Sequence, residues 1–217
     1  MLEAIIFDMD GTLFQTNKIL ELSLEDAFQH FTELGKWNDI TPLEKYRQIM
    51  GVPLPRVWET LLPNHSVQDR DLIDKYFLES LIDNIDNGRG ELYPNTIEIL
   101  TYLKDQNYSI YIASNGLTKY LNSIVKYYKL DTWIAETFSI ESIETLNKSD
   151  LVKKILLEND INHAVVVGDR LSDIQAAKDN NLVAIGCKFD FAKEEELNQS
   201  DFVVNDLLDL KFILEKF

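Results

Sequence analysis

Two aspartates, Asp8 and Asp10, stand two residues apart at the end of the apolar run "AIIF", with Gly11 and Thr12 behind them. Burying one carboxylate is costly, and a second beside it adds repulsion. Other apolar runs along the chain also lead into reactive residue types. "YSIYIAS" ends in Ser114 and is followed by Asn115 and Gly116. Lys148 comes soon after a short run near "TFSI", and "AVVVG" is followed by Asp169 and then Asp173. If these runs are strands of an open parallel sheet, their carboxyl ends share one edge, where working groups gather. Several carboxylates on one edge repel unless a hard cation sits among them. Magnesium takes oxygen ligands and keeps several waters, so two or three carboxylates suffice. The lysine and the hydroxyl are then left for an anion. Together this is equipment for phosphoryl transfer, where positioning and charge neutralisation do most of the catalysis.

The elements that must position these residues fall into two patterns. Residues 3–8 read as a strand buried on both faces. From Thr16 to Gly35 a helix is expected, with Leu20, Leu24, Ala27, Phe28, Phe31 and Leu34 as its apolar stripe. A second helix fits "TPLEKYRQIMG", with Pro42 in its first turn and Gly51 as its stop. A third fits "PLPRVWETLLP", and a fourth covers 67–86 with Leu72, Tyr76 and Ile82 among its apolar positions. Phe28, Phe31, Trp58, Tyr76 and Phe77 read as the core of this helical stretch.

The glycine-rich "DNGRGELYPN", 86–95, reads as a linker. Beyond it, helices and apolar strands alternate: helix 95–106, strand 108–114, helix 117–129, strand 137–140, helix 149–159, strand 164–169, helix 172–180, strand 182–186, a weak strand 202–204 and a last helix. Such alternation predicts an α/β fold, a Rossmann-like doubly wound parallel sheet. The expected division is a core of 1–15 and 87–217, interrupted after its first strand by a helical domain, 16–86.

Composition narrows the classes. Of 217 residues, 45% are hydrophobic, enough for a substantial core. Lysine plus arginine number 21 against 37 acidic residues, a net charge of −16 that repels nucleic acid and anionic membranes. Small phosphorylated molecules held in a locally positive pocket remain compatible. Cys187 is the single cysteine, so no intrachain disulfide forms, which fits a reducing compartment. With no long apolar run and no leader pattern, a cytoplasmic location is expected. His30, His65 and His163 are scattered without metal spacing.

"FDMDGTL", "SN" after a strand, a lysine before a helix and "GDRLSD" resemble the four motifs of the haloacid dehalogenase-like hydrolase superfamily. The layout is most similar to its phosphoglycolate phosphatase and β-phosphoglucomutase branch, and the insertion resembles that branch's helical cap. The resemblance implies that Asp8 is the nucleophile and Asp10 the acid/base. It implies magnesium held by the Asp8 carboxylate, the Asp10 main-chain carbonyl and Asp169, with Asp173 orienting a metal-bound water or Lys148. Ser114, Asn115 and Lys148 are then expected at the phosphoryl oxygens, with Gly11 and Thr12 letting the backbone approach them.

The chain also departs from the family pattern. Ser149 follows Lys148 where proline is frequent, and is expected to cap the helix. Lys153 and Lys154 are rivals of Lys148 but fall inside the helix. Asn180 and Asn181 stand where glycine is frequent, and asparagine tolerates the left-handed conformation that ends a helix. Arg170, Arg47 and Arg56 are candidate substrate contacts, with surface ion pairing or plain exposure as the competing readings. The leading expectation is a magnesium-dependent phosphatase acting on a small phosphorylated metabolite. A phosphosugar mutase is the alternative, and a dehalogenase or a non-catalytic binding module fits the motifs less well. Substrate and oligomeric state are open.

Overall fold

The computed structural model describes residues 2–49, 52, 54–190 and 192–217; Gly51, expected to stop a helix, lies outside the described residues. The chain forms two compact units, one of residues 1–15 and 92–217 and the other of 16–91.

The first unit is an α/β sandwich. Its strands are β1 (Ala4–Phe7), β2 (Ser109–Ser114), β3 (Glu136–Ser139), β4 (Ala164–Gly168), β5 (Val183–Cys187) and β6 (Phe202–Val204). They pair in parallel in the order β3-β2-β1-β4-β5-β6. β1 is central, with Phe7 level with Ile112 on one side and Val167 on the other. Its four side chains are all fully buried, which explains a run with no polar alternation.

The unit's longer helices are α5 (Thr96–Asp105), α6 (Thr118–Tyr128), α7 (Lys148–Glu158) and α8 (Leu171–Asp179). Ala4, Ile6, Ala113 and Val166 pack with Leu151, Val152 and Ile155 of α7 and Ile174 and Ala177 of α8. Ile5 and Phe7 point to the opposite face, as alternation along a strand requires. After β1 the chain steps one way across the sheet to β3, then returns past β1 to β4. That reversal makes the carboxyl end of β1 a switch point, the usual place for a ligand crevice. Short helices at Glu194–Leu197 and Leu210–Leu214 complete the unit, and the first of these was not expected from sequence.

The second unit holds α1 (Asn17–Glu33), α2 (Leu43–Gln48), α3 (Leu54–Leu61) and α4 (Val67–Asp86). On α1 the buried row is Leu20, Leu24, Ala27, Phe28 and Phe31. Leu34, expected in that stripe, is 46% exposed. The helix stops before it, because Gly35 N–H turns back to Thr32 O and Lys36 N–H to Phe31 O. Pro42 sits just before α2 rather than in its first turn. On α4 the buried residues are Ile73, Phe77, Leu81, Asn84 and Ile85. Leu72, Tyr76 and Ile82, taken from sequence as apolar positions, flank that row and are half-buried. Trp58 and Tyr46 meet the Phe77 ring at 5.5 and 5.8 Å. Residues 87–91, grouped with the core on sequence, belong here. Arg89 N–H donates to Asn84 O and its guanidinium to Asn84 Oδ1, both at 2.9 Å, closing the end of α4.

Candidate active site

The site is built where β1 ends. Asp8 continues the ladder, its N–H donating to Val167 O at 2.8 Å, so its carboxylate is carried on rigid backbone. The next residues turn sharply: Met9 O accepts from Leu13 N at 3.0 Å and Phe14 N at 2.9 Å, and Gly11 N–H donates to Phe14 O at 3.0 Å. Gly11 has φ +79°, and a Cβ there would stand 2.5 Å from Asp169 Oδ2. Glycine thus serves twice, allowing the left-handed turn and making room for a carboxylate.

Asp169 directly follows β4, and Asp173 lies in the first turn of α8, where its Oδ2 accepts from Arg170 N at 3.0 Å. Lys148 is the first residue of α7. Asn147 caps that helix, its Oδ1 accepting from Ser149 N at 2.9 Å. The cap expected from Ser149 is therefore supplied two residues earlier, and the Ser149 hydroxyl donates to Asp179 instead. The cap aims Lys148 inward. Its ammonium, 5% exposed as a residue, meets Asp8 Oδ1 at 2.5 Å and pairs with Asp173.

Asp8, Asp169 and Asp173 are all buried, with ligand atoms within 4.8 Å of one another. Burial pushes the Asp8 carboxyl up to about 7; Lys148 opposes this, and Asp173 and Asp10 add to it. Asp169 is pushed well up by burial and by Asp8 and Asp173. Burial works against a charged Lys148, but Asp173 and Asp8 hold its pKa above the ordinary lysine value. The Lys148 ammonium thus pairs directly with two of the three acids, Asp8 and Asp173. Asp169 Oδ1 is buried without a hydrogen-bond partner among the described residues. Three clustered carboxylates, one with an unpartnered oxygen, fit a hard divalent cation better than any further protein group.

Ser114 ends β2 on the same edge and is 1% exposed; its Oγ accepts from Gly116 N at 3.0 Å, leaving the hydroxyl proton to donate. Asn115 beside it is half-buried. Thr12 is fully buried, and its hydroxyl has no partner among the described residues. The backbone role implied for Gly11 is modified. Its N–H is committed to Phe14 O, so its contribution is the close approach to Asp169.

Arg170 Nε pairs with Glu196 at 3.2 Å. Arg47 and Arg56 belong to the helical unit, where Arg47 pairs with Glu21 and Glu44 and Arg56 is exposed. Lys153 is exposed and Lys154 pairs with Glu158, so neither rivals Lys148. Cys187 is fully buried, and burial raises its thiol pKa, which suits an inert core residue.

One contact had no warning in the motifs. Tyr120, on α6, donates from its hydroxyl to Asp10 Oδ1 at 2.5 Å. The only sequence signal is an aromatic in the first turn of the helix that follows "SNG".

Residues 5–187 match the family described as haloacid dehalogenase-like hydrolase. The chain belongs to that family. This haloacid dehalogenase-like hydrolase is 24% identical to a 5′-nucleotidase of Pseudomonas aeruginosa, the match covering 97% of this chain and 95% of the relative. It is 25% identical to a phosphoglycolate phosphatase of Mannheimia succiniciproducens, covering 94% of each. With pyrophosphatase PpaX of Listeria monocytogenes it shares 23%, over 97% and 95%. CbbY of Rhodobacter sphaeroides, solved in complex with phosphate, superposes with TM-score 0.82 at 20% identity, covering 97% of this chain and 96% of CbbY, which speaks to the fold. Family membership and the buried carboxylate–lysine site together make this haloacid dehalogenase-like hydrolase an enzyme of the phosphatase class. None of its described helices is long and apolar enough to cross a membrane.

Proposed function

We propose that the chain is a magnesium-dependent phosphatase that hydrolyses a small phosphorylated metabolite in the cytoplasm through an aspartyl-phosphate on Asp8. The observation that carries the reading is the Lys148 ammonium shared between buried Asp8 and Asp173, next to the unpartnered Asp169 Oδ1.

Asp8 is rigidly held and desolvated, as a nucleophile should be. Its free oxygen forms the bond to phosphorus while the bond from phosphorus to the leaving oxygen breaks, and Asp10 gives that oxygen its proton. Asp10, now ionised, takes a proton from the water that attacks the aspartyl-phosphate. The bond from phosphorus to Asp8 breaks, inorganic phosphate leaves and both carboxyl groups return to their starting states. Lys148, the Ser114 hydroxyl and Asn115 hold the equatorial oxygens, where charge grows in the transition state. Asp173 keeps Lys148 in place. The Asp8 and Asp169 carboxylates and the Asp10 carbonyl would hold magnesium, which when bound screens the acids from one another and offsets phosphoryl charge. The helical unit, 16–91, is read as the cap that chooses the substrate, with Arg47 and Arg56 as candidates for contacting it.

The test is phosphate release from a panel that includes a 5′-nucleotide, phosphoglycolate, a sugar phosphate and pyrophosphate, with magnesium and with EDTA. Release with magnesium from at least one member, stopped by EDTA, is expected. No release from any member, or release indifferent to EDTA, overturns the reading.

A further inference from the structure

We propose that Tyr120 is a positioning residue for Asp10, fixing which carboxyl oxygen carries the proton given to the leaving group. The inference rests on the reading of Asp10 as the acid set out above. Asp10 lies beyond the end of β1, at an isolated bridge to Phe14, and is half-buried, so its backbone position does not by itself fix the plane of its carboxyl group. Tyr120 supplies a constraint on that plane. Its hydroxyl donates to Asp10 Oδ1 at 2.5 Å.

Tyr120 is itself immobilised from several directions. The residue is 5% exposed. Its ring meets Phe14 edge-on, with centroids 6.5 Å apart. On another side the backbone comes close: a Cβ on Gly116 would lie 3.2 Å from Tyr120 Cδ1, so the glycine of "SNG" leaves room for this ring. The Tyr120 carbonyl accepts from Ser123 Oγ at 2.7 Å, tying the residue into the first turn of α6. A rigid phenol thus reaches the Asp10 carboxyl.

An oxygen already accepting from a hydroxyl is the poorer seat for a second proton, so the transferable proton belongs on Asp10 Oδ2. Fixing Oδ1 then fixes where Oδ2 and its proton point. Misplacing a reacting group by an ångström costs about a hundredfold in rate, so losing one of several constraints should cost about tenfold.

The test compares Tyr120→Phe with the unaltered enzyme on 4-nitrophenyl phosphate and phenyl phosphate. The two substrates have nearly the same shape, but phenolate is the more basic leaving group and needs the acid more. Tyr120→Phe keeps the ring against Phe14 and Gly116, and an unchanged melting temperature confirms the packing. The expected result is about a tenfold loss of kcat/KM on phenyl phosphate and less than threefold on 4-nitrophenyl phosphate. Equal losses on both, or none, overturn the proposal, because a merely structural residue does not sense leaving-group basicity. Asp10→Asn is run alongside. If it keeps full kcat/KM on phenyl phosphate, the acid reading of Asp10 fails, and this proposal with it. If Asp10→Asn is impaired while Tyr120→Phe shows no leaving-group bias, only the assignment of Tyr120 fails.

Discussion

Lys148 and Asp173 form an ion pair in which both residues are almost wholly buried, and the same ammonium reaches Asp8 Oδ1 at 2.5 Å. Removing one member of a buried charge pair leaves the other without compensation, at about 3–5 kcal/mol. Here one lysine serves two acids. Lys148→Ala should therefore lower unfolding free energy by at least that amount in urea melts, besides losing turnover about a hundredfold or more. A melt within about 0.5 kcal/mol of the unaltered chain contradicts the shared-pair account.

Asp8→Asn tests the opposite balance. Burial drives Asp8 toward its neutral form, so the folded state carries that charge at a cost. The amide keeps the shape and removes the charge, while Lys148 retains Asp173. The expected variant is as stable as the parent or more so, yet has no measurable phosphate release. Residual turnover above about a thousandth of the parent rate would remove Asp8 as nucleophile.

The raised pKa of Asp8 also sets a pH dependence for the metal-free protein. Its folded value is about 7 against an ordinary 3.8, so between those pH values the folded state binds more protons than the unfolded state. Stability must then fall as pH rises through that window, and Asp169, shifted in the same direction, extends it upward. A divalent cation offsets the charges that appear. Melting temperature in EDTA should therefore drop from pH 5 to pH 8, and the rise on adding magnesium should be larger at pH 8 than at pH 6. A magnesium effect independent of pH contradicts the carboxylate site.

Gly11→Ala should cost about 1–3 kcal/mol from φ +79° alone. Its methyl would also push Asp169, so magnesium affinity measured by calorimetry should weaken together with stability. Loss of stability with unchanged metal affinity would separate the turn from the site.

The sheet was legible because its central strands β1 and β4 are buried on both faces, so "AIIF" and "AVVV" stand out as unbroken apolar runs. Asp8, Asp169 and Asp173 were legible because they follow such runs, where a parallel sheet collects its ends, and Lys148 because it stands before a helix after the shorter "TFSI" run. Tyr120 was not: an aromatic at a helical position reads as core, and it is core, except for a hydroxyl whose target is 110 residues away. The buried row of α4 was only partly legible for a related reason. In a helix with apolar residues over a broad arc, periodicity alone does not say which row another helix will cover, and packing selected Ile73, Phe77 and Leu81. Helix caps were legible to within a residue or two, since Asn147 and Ser149 are both good acceptors and only backbone geometry chooses between them.

The chain leaves and re-enters the α/β unit through neighbouring points. Phe14 forms an antiparallel bridge with Leu92, and Gln15 Nε2 donates to Leu92 O at 2.7 Å. To the sheet, the 76 residues of 16–91 therefore amount to an elaborate loop with touching ends. Loop length adds little to the cost of closing such ends. The insert can be lengthened, exchanged for another or cut back to a short turn while the strand order around β1 stays as it is. A fold with that property can keep one set of acids and change what it admits to them.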